Sequence, residues 1–151
     1  MSDHDSTELL ERLARLEDQA QICRTLYAYG SALDYGDRDQ FLRCFTDDAD
    51  YVVTMRTTGE TAMHFRGHDQ LGGYFDGHTH APAAWHKHIT TNPDVTVDGE
   101  RASATSYFIR VDAGDGPGPA TVLASGRYLD ELVRDASQWR IRSRRCEVEN
   151  M

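Results

Sequence analysis

Four stretches with strand-like alternation, residues 85–97, 102–111, 121–133 and 138–148, crowd into the second half of the chain. The opening third instead places Leu9, Leu13, Leu16, Ala20, Cys23, Leu26 and Leu33 at helical spacing. Helices first and a long antiparallel meander last leave few arrangements. The expected class is α+β, with one curved, mostly antiparallel sheet packed against three helices.

The spacing predicts a long helix over about residues 6–35, opened by a capping box at Asp5 and Glu8 and stopped at Gly36. Asp37 and Gln40 repeat the capping-box spacing ahead of Phe41, Leu42 and Phe45, and Thr46-Asp47-Asp48 ends that short helix. Short strands are expected at 51–55 and 62–65, and a third helix at 67–75. Val97-Asp98-Gly99-Glu100 signals a hairpin, and residues 114–119 read as a flexible connection. The whole of 1–151 suits one domain.

Net charge is −9, which disfavours a nucleic-acid or anionic membrane surface because both need a basic footprint. Arg140, Arg142, Arg144 and Arg145 are the exception, although arginines alternating along a strand partly face solvent. Cys23, Cys44 and Cys146 lack disulfide or zinc spacing. With a polar, acidic start and no apolar run of membrane-spanning length, the expectation is a cytoplasmic protein.

Asp34 closes the long helix in an apolar neighbourhood, Ser31-Ala32-Leu33-Asp34-Tyr35. His86 and His88 share one face of a strand, with Trp85 and Lys87 on the other. The histidines can be read as a metal site extended by His78 and His80, as one proton-transfer group beside a packing group, or as two core residues. For proton transfer, either His88 is the base oriented by Asp34, or Asp34 is the base and His88 the donor. Tyr27, Tyr29, Tyr51 and Tyr107 could each bond a substrate oxygen, and seven tyrosines with two tryptophans suit an aromatic pocket. There is no glycine-rich dinucleotide fingerprint, phosphate loop or Gly-x-Ser-x-Gly elbow.

Four stretches together resemble the SnoaL-like group of the NTF2-like superfamily, a cone-shaped α+β barrel. They are residues 26–34 with the 37–45 helix, Asp47-Asp48-Ala49-Asp50-Tyr51, His88 before Thr91-Asn92 and the 95–104 hairpin, and Gly126-Arg127-Tyr128 with Trp139-Arg140-Ile141. Within the group the pattern is similar to scytalone dehydratase, bile acid 7-alpha-dehydratase and hexachlorocyclohexane dehydrochlorinase. The resemblance implies a cofactor-free, metal-free lyase with an Asp34–His88 dyad. Tyr51, Tyr29 and Arg144 would assist, Tyr27 replacing Tyr29 on helical geometry and Arg145 replacing Arg144 if a bulge shifts the register. Tyr27, Trp85, His86, Tyr107, Phe108 and Arg145 are the candidates for holding a small, hydrophobic, cyclic substrate.

Where scytalone dehydratase carries a second pocket histidine, this chain has Asp112 or a neighbour. That argues against scytalone itself as substrate. Isomerase or cyclase chemistry could use the same dyad. An epoxide hydrolase, a module like the small subunits of ring-hydroxylating dioxygenases, and metal chemistry at His86 and His88 are the competing expectations. The resemblance also implies a homodimer or homotrimer.

Overall fold

The structure is a computed structural model describing residues 3–113 and 118–151, so most of the 114–119 connection lies outside the described residues. The elements are α1 (Asp3–Tyr35), α2 (Arg38–Arg43), β1 (Phe45–Met55), β2 (Thr61–Arg66), α3 (Gly67–Asp76), β3 (His86–Asp98), β4 (Arg101–Asp112), β5 (Thr121–Asp135) and β6 (Gln138–Asn150). The strands form one curled, unclosed sheet in the order β2-β1-β6-β5-β4-β3. β1 runs parallel to β6, and every other pair is antiparallel. This is the α+β cone-like arrangement expected.

Helix α1 packs on the concave face through Ile22, Leu26, Tyr29 and Leu33, all buried. The Thr25 hydroxyl donates to the Trp139 carbonyl at 2.7 Å, and Asp18 accepts from the Trp139 indole and from Arg134. Gly36 takes φ +78° and ends the helix as its sequence predicts, and the Asp37 side chain caps α2 by accepting from Gln40 N–H. Among the described residues no helix is long and apolar enough to cross a membrane.

Two boundaries differ from expectation. Helix α1 already runs through Asp5, so Asp5 and Glu8 do not mark its start. Acidic residues in a first turn favour the helix through its dipole as well as by capping. Strand β1 begins at Phe45 rather than Tyr51 because Ile141 N–H donates to the Cys44 carbonyl, drawing the chain onto β6.

Two bulges decide what faces inward. In β3 the pairing with β4 shifts between Thr91 and Asp94, around Asn92 at φ +53°. His86, His88 and Thr90 therefore share the concave face with Val95 and Val97, although an unbroken strand would put them on opposite sides. In β6 the pairing with β5 skips Arg142. Trp139 and Ile141 face inward before it, and Arg144, Cys146 and Val148 after it.

Candidate active site

Gly30 sits one turn before Asp34, and a Cβ there would run into the His88 carbonyl oxygen. Its bare backbone lets α1 lie directly against β3. That contact puts the Asp34 carboxylate on His88: Oδ1 accepts from Nδ1 at 2.6 Å, and Oδ2 accepts from the main-chain N–H at 2.9 Å. With Nδ1–H donating, the lone pair of the ring lies on Nε2. The segment 77–85 closes over the helix end, where Ala81 N–H donates to the Asp34 carbonyl and the His80 ring bonds the Leu33 carbonyl. Asp34 is only 3% exposed.

Around the pair stand two more histidines. The rings of His78, His86 and His88 touch pairwise, with centroids 4.9–5.4 Å apart. His86 Nε2 lies 3.7 Å from Asp34 Oδ1, too far for a hydrogen bond, and has no hydrogen-bond partner among the described residues. Burial, with neighbouring His88 and Arg110, pushes His78 down to about 4 and lowers His86, so both rings are neutral at pH 7. Arg110 faces His88 across the β3–β4 ladder. Asp112, expected in this region, faces His86 and lies 3.7 Å from the Arg110 guanidinium.

Thr90 Oγ1, Ser106 Oγ and Arg110 Nε are also buried and lack hydrogen-bond partners among the described residues. Buried polar atoms in this state are uncommon and suit a polar ligand. Two surface grooves, of about 370 and 540 Å³, lie elsewhere and include neither dyad residue.

The other candidates separate into three groups. Tyr29 and Tyr51 are buried deeper in the cone, their hydroxyls 2.9 Å apart. Burial raises both phenols well above the usual tyrosine range, so they stay protonated. Their ring contacts reach the histidines through Tyr74, which meets Tyr51 at 6.0 Å and His78 at 5.9 Å. Arg144 is wholly buried, bonds Asp130 at 2.7 and 2.8 Å, and stacks on Tyr29 and Tyr128. Phe108 also lies inside, stacked on Tyr128.

Four expected pocket residues instead face outward. Tyr27 shares a helix flank with Asp34, but β3 and the 77–85 segment cover that flank only near Gly30 and Asp34, leaving Tyr27 49% exposed. Trp85 precedes β3 and is exposed, with Lys87 over its ring. Tyr107 occupies the convex position next to inward Phe108, and the Arg142 bulge that turns Arg144 inward leaves Arg145 outside. His78, weighed from sequence as an extension of a metal site, stands beside the pair, and Tyr74 and Arg110 join it although neither was expected there. The signals that could have found these two were the inward face of α3 and cross-strand pairing with His88. Burial pushes Cys146 up to about 12 and Cys44 up to about 11, so neither offers a thiolate nucleophile.

Solved structures of similar fold come from Novosphingobium aromaticivorans. An NTF2-like protein with a cystatin-like fold is 24% identical, covering 95% of this chain and 90% of that one, with TM-score 0.80. A candidate aromatic ring hydroxylase is 30% identical over 88% of this chain and 90% of its own, with TM-score 0.68. A candidate scytalone dehydratase is 20% identical over 87% and 83%, with TM-score 0.69. No curated protein matched the sequence. The family model described as a SnoaL-like domain matches residues 14–145, and the chain belongs to that family.

Proposed function

We propose that the chain is a lyase that starts elimination by proton abstraction, with His88 as base and Asp34 as its orienting partner. The observation that carries this reading is the double acceptance by Asp34 from His88. Both carboxylate oxygens are engaged by N–H donors, which leaves His88 Nε2, and not the carboxylate, as the group free to take a proton. Asp34 fixes the tautomer and stabilises the imidazolium as it forms.

The substrate class is a small cyclic hydroxy-ketone or a related aromatic, polyketide-like or steroid-like compound. Thr90 Oγ1, Ser106 Oγ and Arg110 Nε, which have no hydrogen-bond partner among the described residues, supply polar atoms for its oxygens, and the aromatic interior supplies its apolar wall. In the reaction Nε2 removes the proton next to the carbonyl, and the electron pair moves into the enolate. Collapse of the enolate expels the β-hydroxyl, which takes the imidazolium proton and leaves as water, restoring neutral His88. Tyr74 is the phenol in contact with His78, with the Tyr29–Tyr51 pair behind it. Isomerisation or cyclisation would share the first step.

A deuterium-exchange screen of cyclic β-hydroxy-ketones in D₂O, followed by product analysis, tests the reading. His88→Ala should lower the rate about 10²–10⁴-fold with little change in KM. Undiminished turnover in that variant would sink the base role.

A second reading concerns assembly. Ile89, Tyr107, Val122 and Leu123 leave apolar surface exposed on the β3–β5 part of the sheet, which supports a homodimer or homotrimer or a partner subunit of another kind. Light scattering on the purified chain separates a monomer from these assemblies. Three free thiols support a reducing, cytoplasmic setting.

A further inference from the structure

We propose that His78, His86 and His88 form a binding site for a divalent transition-metal ion of the zinc class, and that occupancy switches off proton abstraction. The inhibitory half rests on the base role of His88 argued above. The binding half stands on geometry alone.

One ligand atom from each of the three imidazoles lies within 4.8 Å of the others. Their uncommitted nitrogens are identifiable. His88 gives Nδ1 to Asp34, and His78 bonds the Thr79 carbonyl through Nδ1 at 2.9 Å, which leaves Nε2 of each ring with a lone pair. His86 Nε2 is buried and has no hydrogen-bond partner among the described residues. Three imidazoles with an open fourth position are a known zinc donor set. The carboxylate on His88 is also the outer partner that metal-bound histidines usually have.

Tetrahedral zinc at about 2.05 Å from each nitrogen needs nitrogens about 3.3 Å apart, so the trio must close by roughly an ångström or more. His86 and His88 are fixed on β3, whereas His78 lies on the non-helical segment between α3 and β3 and can supply that movement. Arg110 opposes the metal by charge, since it faces His88 across the ladder. A metal on His88 Nε2 takes the lone pair that proton abstraction requires. The ion would therefore act as an inhibitor and not as a resident cofactor.

The test uses the full chain without a histidine tag, stripped with a chelator and titrated with Zn²⁺ by calorimetry. Co²⁺ is followed in parallel by its visible absorption. The expected result is one ion per chain with a tetrahedral Co²⁺ spectrum. Binding should weaken at least tenfold in His78→Gln and in His86→Gln, and by about 10–100-fold in Asp34→Asn. Arg110→Gln should tighten it. Circular dichroism identifies any variant that fails to fold, and Arg110→Gln probes the site without removing a ligand. Absence of stoichiometric binding in the parent chain overturns the proposal, as does unchanged affinity in both folded glutamine variants. Zn²⁺ should stop deuterium exchange and a chelator should restore it. Binding with exchange unimpaired leaves the metal site standing and overturns both the inhibition and the base role of His88.

Discussion

Two carboxylates on the concave side of this sheet each hold a cationic or protonatable partner. Asp130 takes two hydrogen bonds from Arg144 in a region with no exposure, and Asp34 takes two from His88 where the imidazole edge is still partly open. The geometry is similar and the chemistry is not. A guanidinium keeps its proton at any ordinary pH, so the Asp130–Arg144 pair is a fixed strut roofed by Tyr29 and Tyr128. An imidazole side chain, unlike a guanidinium, can give up its proton, and under the proposed function the same carboxylate clamp serves to move one. Buried ion pairs in one fold can thus be sorted by whether the cation can let go.

Breaking the two pairs should separate these roles. Asp130→Asn strands a buried guanidinium and should cost about 3–5 kcal/mol in chemical denaturation. Asp34→Asn strands no guanidinium and keeps an amide oxygen as acceptor, so its stability loss should be no more than about half as large while activity collapses. Equal losses in the two variants would erase the distinction. Gly30→Ala comes next. Helix propensity alone predicts a gain for this change, but the added methyl meets the His88 carbonyl, so a net loss of about 1–3 kcal/mol is expected, together with lowered activity.

Acid should find the histidine side first. His78 is held at about 4 when folded, against about 6.5 unfolded, by burial and by His88, His86 and Arg110. Above pH 6.5 both states are neutral and the ring contributes nothing. As pH falls from 6.5 to 4 the unfolded chain takes up a proton that the folded chain refuses, so stability declines, and below 4 the loss levels off. The limiting slope is about 1.4 kcal/mol per pH unit, reduced because His78 is partly solvated. His78→Gln should flatten the curve between pH 6.5 and 4. The smallest effect is Tyr51→Phe, which removes one bond to Tyr29 and should cost about 1 kcal/mol with less than a tenfold change in rate. A larger rate effect would move Tyr51 to the chemical side.

Much of the fold was legible because helical spacing, Gly36 and the Asp37 cap act locally, and α1, α2 and α3 follow from them. The Asp34–His88 contact was legible through family resemblance. Periodicity placed each residue on a face but could not say that the two faces meet. Gly30 carried the missing clue, since a glycine inside a helix one turn before a buried aspartate marks a close approach. Tyr27, Trp85, Tyr107 and Arg145 were misplaced because aromatic or basic character suggests a pocket wall, whereas exposure depends on which neighbours cover a flank. Arg144 posed the opposite difficulty. Its inward direction is set by one extra residue, Arg142, and no window of sequence shows where a partner strand fails to count it.

That extra residue, with Asn92 in β3, makes the fold's tolerance of a change in length depend on where the change falls. Remove Arg142, and Trp139, Ile141, Arg144, Cys146 and Val148 fall into plain alternation, all still facing inward. Remove Asn92, and His86, His88 and Thr90 likewise stay on one face with Val95 and Val97. Remove instead a residue from a regular stretch, such as Arg145, and every residue beyond it changes sides. The bulges are therefore the two points at which these strands can lose a residue without exchanging lining for surface.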